Sequence, residues 1–289
     1  MLKIEKFEVM GWEHAIRGMR NPMNSWEKSD SEWVPQFDTA QGPVTGKFII
    51  GPNDYALMKK LRNAGTDHRK FMRMITVCLD ITAPLYWWKE FKTYRAGRKF
   101  GDPEPDIIDP ELLEMDIETN SCSTMHKVHA KEFTFEDFSC EHLADDIWMD
   151  EECLDIYDGN LTMRGVFETT IDALNLCRNL YLNTKDKKYW WQMIQLLPSS
   201  YNQKRTVMLN YEVLANIYKS RKDHKLDEWH TFCHWIDELP YSELITGYEE
   251  EDLRIISNDG IQKICPVTKV PCSECMPGGP CAVEEEESH

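Results

Sequence analysis

The sequence contains no run of about 18 apolar residues, and its opening stretch, MLKIEKFEVM, has no apolar core of the secretory type. A membrane-spanning helix is therefore not expected, and the reading that follows is of a cytoplasmic protein. The chain is also short of positive charge. Its 33 Lys and Arg face 50 Asp and Glu, a formal net charge of −17. Nucleic-acid polymers and anionic membranes both require a positive face, to release counterions or to meet headgroups, so neither is an expected partner. Internal repeats are absent, and low complexity is confined to the acidic run Glu284–Glu287, which reads as a solvated tail.

What is present is material for a core. Of 289 residues, 42% are hydrophobic, with 10 Trp, 11 Tyr and 11 Phe, enough for one main core. Six cysteines (Cys78, Cys122, Cys140, Cys153, Cys177 and Cys233) are scattered singly, and without an export signal they are expected as reduced thiols. The other four, Cys265, Cys272, Cys275 and Cys281, form C-x6-C-x2-C-x5-C in a stretch rich in Pro and Gly. Four soft ligands can close a tetrahedral zinc site, and a C-x2-C can equally serve as a redox pair. Spacing alone leaves zinc, redox chemistry and incidental thiols all open.

Hydrophobic periodicity predicts an alternating strand with a bulge over Leu2–Val9, an ordered loop over 18–46 and a short strand over Lys47–Ile50. Asn53 or Asp54 is expected to cap a helix that stops at Gly65. A half-buried strand follows over 75–81, then a helix capped by Thr82, with Pro84 in its first turn, running to about Arg95. Residues 98–118 hold three prolines and eight carboxylates and read as an acidic insertion. Beyond it come an acidic stretch of mixed helical character over 133–158, a long amphipathic helix through 166–181, and a second helix from Lys187 to before Pro198. A strand over 206–209 leads into a helix capped by Asn210, and a last apolar row reaches about Leu239.

Three stretches stand out: ITAPLYWWKEFKTYRAG, TNSCSTMHK after the insertion, and LLPSSYNQKRTVMLNYEVLANIYKSRKDHKLDEW. Together they resemble the flavin-dependent thymidylate synthases. That family carries R-H-R-x-x-S-x-N-x-x-S-x-R-Y after an apolar strand and a short Pro-started helix, then L-P, N-A-R and L-R with a downstream Trp. The resemblance covers roughly residues 54–97, 119–127 and 196–229. It places Glu90 at a nucleotide-contacting Gln and Thr93, Tyr94 and Arg95 at the R-H-R triplet, of which only Arg95 is kept. Asn120 and Ser123 match the motif's Asn and second Ser, whereas Met125 and His126 replace its Arg and Tyr. His68 falls where the family keeps a His near flavin and nucleotide. Leu197 and Pro198 match L-P, and Asn210 opens N-A-R with Tyr211 and Glu212 in the other two places. Asn216 falls on a flavin-contacting Asn and Arg221 on an Arg that binds the nucleotide phosphate.

The resemblance implies an α/β (α+β) fold, with a central mixed or antiparallel sheet flanked by helices, over residues 1–250, interrupted by the insertion at 98–118. Residues 251–289 form a Cys-rich, acidic tail. It implies FAD, methylenetetrahydrofolate and NADPH as cofactor and co-substrates, dUMP as substrate, and a homotetramer. Arg95, Glu90 and His68 would be catalytic; Arg221, Ser123 and Glu90 would hold nucleotide; Asn216, His68, Arg95 and Asn120 would hold flavin. Zinc, if bound, would use the four tail cysteines. A base-modifying relative with another product, such as a hydroxymethylated base, and a non-catalytic nucleotide-binding protein are the alternative readings. The residues support part of this directly, since Lys219, Arg221, Lys222, His224 and Lys225 crowd five basic groups into seven positions of an acidic chain. A guanidinium can grip phosphate bidentately, but cations also favour a solvated helix C-terminus, and both readings stay open. Likewise Trp87, Glu90 and Tyr94 share a helix face that is either a stacking platform or core.

Overall fold

Residues 76–84, TVCLDITAP, alternate strictly: Val77, Leu79, Ile81 and Ala83 are buried, while Thr76, Cys78, Asp80 and Thr82 are half-exposed. This alternation makes β4 (Thr76–Pro84) an interior strand with one face on the core. A computed structural model of the chain describes residues 2–38, 42–94, 117–146, 162–247, 254–257 and 260–263. In it β4 pairs with β1 (Lys3–Met10) on one side and β6 (Asn202–Asn210) on the other, and β6 pairs with β5 (Glu118–Ser121). The sheet order is β1-β4-β6-β5, and every pairing is antiparallel. An α/β fold with an antiparallel sheet flanked by helices is thus observed; among the described residues no parallel pair makes the sheet mixed. The expected bulge in β1 lies between Glu5 and Glu8, with Lys6 at a φ of 50°.

The chain divides into two compact units, Met1–Ile245 and Thr246–His289. The second contains a hairpin of β7 (Arg254–Ser257) and β8 (Gly260–Lys263). In the first, the main core packs the inner face of the sheet against five helices. These are α1 (Trp12–Arg20), α2 (Pro52–Asn63), α3 (Leu85–Phe91), α7 (Tyr211–Arg221) and α8 (Asp227–Asp237). A smaller core gathers Val128, Phe133 and Phe138 with Ile171, Leu174 and Met193. The last three come from α5 (Met163–Thr184) and α6 (Lys187–Leu196), both close to their expected limits.

Residues 18–46 differ from the expected loop. They hold the end of α1, two single 3-10 turns, and most of a hairpin of β2 (Glu32–Asp38) and β3 (Gly42–Ile49). Helix α1 was hidden by its shortness and by Gly18, a weak helix former. It is held by tertiary contacts. Ala15, Ile16 and Met19 are buried along one face, and Arg20 at its end is buried in an ion pair. Its entry turns at Gly11, φ 93°, where an added Cβ would lie 2.0 Å from the Met74 carbonyl oxygen.

Helix α2 (Pro52–Asn63) begins at Gly51, and neither Asn53 nor Asp54 caps it. Asp30 does so from a distance: its carboxylate accepts from the Asn53 and Asp54 amides at 2.8 and 3.0 Å. Gly51 is required because a Cβ there would meet Asp30 at 2.3 Å. Asp54 instead points inward and accepts from Arg20 Nε at 2.6 Å and from the Ser29 and Ser31 hydroxyls at 2.6 and 2.7 Å. Strand β4 runs on to Pro84, which is itself the cap residue of α3, so Thr82 is a strand residue. In 133–158 the described residues form a single 3-10 turn, Phe135–Asp137, closed by a capping box from Thr134. Asn210 caps α7 as expected, accepting from the Val213 amide at 3.0 Å.

Candidate functional site

Helix α3 buries Trp87, Trp88 and Phe91, which places Glu90 and then Tyr94 at the rim of that aromatic block. Helix α7 ends at Arg221, and α8 sets Trp229, fully buried, beneath the same rim. Arg221 Nε donates to the Tyr94 hydroxyl, and Arg221 Nη2 stands 3.2 Å from Glu90 Oε2. The same oxygen accepts from Trp229 Nε1 at 3.0 Å and faces His224 Nε2 at 3.8 Å. Because His224 Nδ1 accepts from the Leu226 amide at 3.2 Å, a neutral ring carries its proton on Nε2, toward Glu90. The guanidinium carbon lies 5.0 Å from the Trp229 ring centre and 5.5 Å from that of Tyr94, within cation–π range of both. Burial pushes the Tyr94 hydroxyl above its ordinary pKa, and the Arg221 charge offsets only part of this.

Two capacities are left unspent in this cluster. Every contact of the Glu90 carboxylate falls on Oε2, so among the described residues Oε1 is an open acceptor. Arg221 likewise uses Nε and Nη2, leaving Nη1 as an open donor. Arg221 is 20% and Glu90 37% exposed at the side chain, so both can be reached.

A second cluster forms at the first turn of α7. Glu212 is fully buried, and its two oxygens take Arg69 Nε, at 3.1 Å, and Arg73 Nε. Arg69 Nη2 then donates to Asn216 Oδ1 at 3.0 Å. Arg69 and Arg73 come from the 3-10 segment Arg69–Met74, anchored by buried Phe71 and Met72, and His68 is the exposed residue just before it. Two arginines on one carboxylate leave a local excess of one positive charge.

The structure thus joins Glu90 to Arg221, and links Asn216 to the segment that follows His68. Asn120 is exposed on β5, opposite Thr206. Ser123 caps the short helix α4 (Thr124–Lys127), accepting from the His126 amide at 3.0 Å. No described contact joins Asn120 or Ser123 to Arg221. Arg95 and the four tail cysteines lie outside the described residues, as do residues 98–116 of the insertion. Among the described residues no group of three or more His, Cys, Asp or Glu stands close enough to hold a metal, and no helix is long and apolar enough to cross a membrane. Sequence reasoning put Glu90 and Tyr94 on one helix face but passed over His224 and Trp229 as partners of Glu90 and Tyr94 as the partner of Arg221. It also passed over Arg69 and Arg73, for which a signal existed: HRKFMR, residues 68–73, carries four basic side chains in six positions of an acidic chain. A cleft of about 350 Å³ between α1 and the β2–β3 hairpin is lined by Glu13, Arg17, Trp26, Trp33 and Phe48, and shares no residue with either cluster.

No family model matches the sequence, and no curated protein matches it. Solved structures do match the fold. Thymidylate synthase X from Helicobacter pylori, solved with FAD and dUMP, superposes with a TM-score of 0.51 at 14% identity, over 85% of this chain and 97% of that one. A second structure of the flavin-dependent thymidylate synthase from the same organism, also complexed with FAD and dUMP, gives 0.51 and 14% over 84% and 97%. A UMP/dUMP methylase from Streptomyces cacaoi, bound with 5-Br dUMP, gives 0.47 and 12% over 86% and 96%, too distant to add to the argument. The chain shares the fold of flavin-dependent thymidylate synthase, and at this identity the likeness speaks of the fold alone.

Proposed function

We propose that the chain is a flavin-dependent enzyme that transfers a one-carbon unit from methylenetetrahydrofolate to dUMP, with FAD as cofactor and NADPH as reductant. The observation that carries this reading is the half-open Arg221–Glu90 pair seated on Trp229, at the two positions where the resemblance puts nucleotide-contacting residues. Arg221 Nη1 offers a charged donor to a phosphate, and Glu90 Oε1 offers an acceptor to a pyrimidine N–H. Tyr94 and Trp229 hold the guanidinium in place, so little of its freedom is lost on binding.

The residues also suit an anionic, hydrogen-bonding cofactor. Asn216 and His68, the two flavin positions, flank Arg69, and Arg69 and Arg73 keep N–H donors beyond those spent on Glu212. Bound FAD would supply the redox relay for the one-carbon unit, while these side chains bind and orient it. Asn120, Ser123 and Arg95 complete the proposed site from the signature loop. We propose a homotetramer, as the resemblance implies, with neighbouring copies contributing to the site. Zinc in the tail, on Cys265, Cys272, Cys275 and Cys281, remains a separate proposal resting on their spacing.

A specific feature favours a second reading. Thr93, at the first Arg of R-H-R, donates its hydroxyl to the Glu90 carbonyl at 2.7 Å and brings no positive charge. A base modification with a different product, or nucleotide binding without turnover, fits that loss. The test is a visible spectrum of purified protein titrated with FAD and then dUMP, followed by product mass after adding methylenetetrahydrofolate and NADPH. A bound flavin spectrum, a dUMP-induced thermal shift and a methylated product support the first reading. A product heavier by one oxygen, or binding with no product, selects the second. A chain that takes up neither FAD nor dUMP sinks both.

A further inference from the structure

Arg205 lies on the inner face of β6 with only 9% of its surface exposed. Its Nε and Nη2 both donate to Gln203 Oε1, at 3.0 and 2.7 Å, and its guanidinium carbon sits 4.2 Å from the Trp88 ring centre. Among the described residues no carboxylate pairs with it, and its Nη1 makes no hydrogen bond. Burial pulls its pKa below the ordinary value, and no charge among the described residues opposes that pull. A buried cation with no counter-charge is costly, and Arg20, the other buried arginine among the described residues, has a carboxylate. Among the described residues nothing of opposite sign stands at Arg205.

The neighbourhood shows where a counter-charge would come from. Ser121 of β5 pairs in register with Arg205, and cross-strand partners point to the same face of a sheet. Ser121 is exposed, and its hydroxyl has no partner among the described residues. The turn after it is pinned to β6 twice: the Cys122 amide donates to the Lys204 carbonyl at 3.1 Å, and Gln203 Nε2 donates to the Cys122 carbonyl at 2.6 Å. Gln203 therefore fixes both the guanidinium and the turn. We infer that Arg205 Nη1 and the Ser121 hydroxyl form a phosphate-binding site at the β5–β6 edge, separate from the Arg221 cluster. The inference rests on the unpaired charge and not on the proposed reaction. The phosphate can belong to the pyrophosphate of a dinucleotide or to a nucleotide monophosphate; the second source would move the dUMP phosphate from Arg221, where the proposed function puts it, to this site.

The test uses the full chain and three probes: inorganic phosphate, dUMP and FAD. For wild type, inorganic phosphate is expected to raise the melting temperature at fixed ionic strength. In Arg205→Met, which keeps volume and removes charge, the protein without ligand should melt at the same temperature or higher, and the phosphate-induced rise should vanish. Ser121→Ala, an exposed change that leaves the fold intact, should weaken phosphate about three- to tenfold. If dUMP weakens about tenfold or more in Arg205→Met and FAD does not, the phosphate is the substrate's; the reverse pattern assigns it to the dinucleotide. A phosphate response equal in wild type and both variants overturns the site, as does a wild-type chain that responds to none of the three probes. Phosphate binding that depends on Arg205 in a chain deaf to dUMP and FAD would uphold this site while rejecting the proposed enzyme.

Discussion

Two buried-edge arginines, Arg20 and Arg221, show what separates a structural ion pair from a binding one. Every nitrogen of Arg20 is engaged. Its Nε is taken by Asp54, its Nη1 by the Ser25 carbonyl and its Nη2 by the Lys28 carbonyl, and the pair is 5% and 0% exposed. Asp54 is equally saturated, since two hydroxyls and the Asp30 and Ser31 amides complete its shell. Arg221, by contrast, keeps Nη1 open, and its partner carboxylate keeps one oxygen open at a solvent-reachable rim. Saturation locks a loop onto α1 and α2; the unspent donor and acceptor leave chemistry to be done.

The contrast can be broken from either side. The largest expected effect is on stability: Arg20→Ala strands a buried carboxylate and should cost about 3–5 kcal/mol in urea unfolding, leaving dUMP affinity of the folded protein unchanged. A loss under about 1 kcal/mol would show the node to be ornamental. Acid should probe the same node. Burial raises the Asp54 pKa, but the Ser29 and Ser31 hydroxyls and the Arg20 guanidinium outweigh it and hold the carboxyl below its ordinary value. A depressed folded-state pKa contributes stability that is complete above the unfolded value, near about 4, and is lost as pH falls through the folded value. Unfolding free energy should therefore drop below about pH 4 in wild type, and Asp54→Asn should flatten that limb.

Arg221→Gln should act in the opposite sense, weakening dUMP about ten- to a hundredfold while changing stability by less than about 1 kcal/mol, because the pair is partly solvated. Thermal melting beside a dUMP titration separates the two. The smallest effect is expected from Tyr94→Phe, which removes the anchor on Arg221 Nε. A two- to fivefold loss of dUMP affinity, about 0.5–1 kcal/mol, would match a hydrogen bond that only positions the guanidinium.

Much of this was legible where the physics is local. The alternation in β4, the Asn210 cap and the Pro198 boundary each follow from a few neighbouring residues, and all are found in place. What escaped is what distance decides. Asp30 caps α2 from more than 20 positions away, and α1 is held by an ion pair that its own sequence does not announce. The site divides in the same way. Glu90 and Arg221 could be aligned on a motif, and the motif's downstream Trp and the basic run over 219–225 pointed at Trp229 and His224, but that both converge on one Glu90 oxygen and leave the other open is decided only by the fold. Arg205 fell just before the strand expected over 206–209, and neither its contacts with Gln203 and Trp88 nor the want of a carboxylate among the described residues could be read without the fold.

The most direct measurement is isothermal titration of dUMP into the full-length chain with FAD present, repeated with Arg221→Gln. The account predicts saturable binding of one dUMP per chain, weakened at least tenfold by the substitution with the melting temperature preserved. Equal affinity in the two proteins, or no binding by wild type, would contradict it.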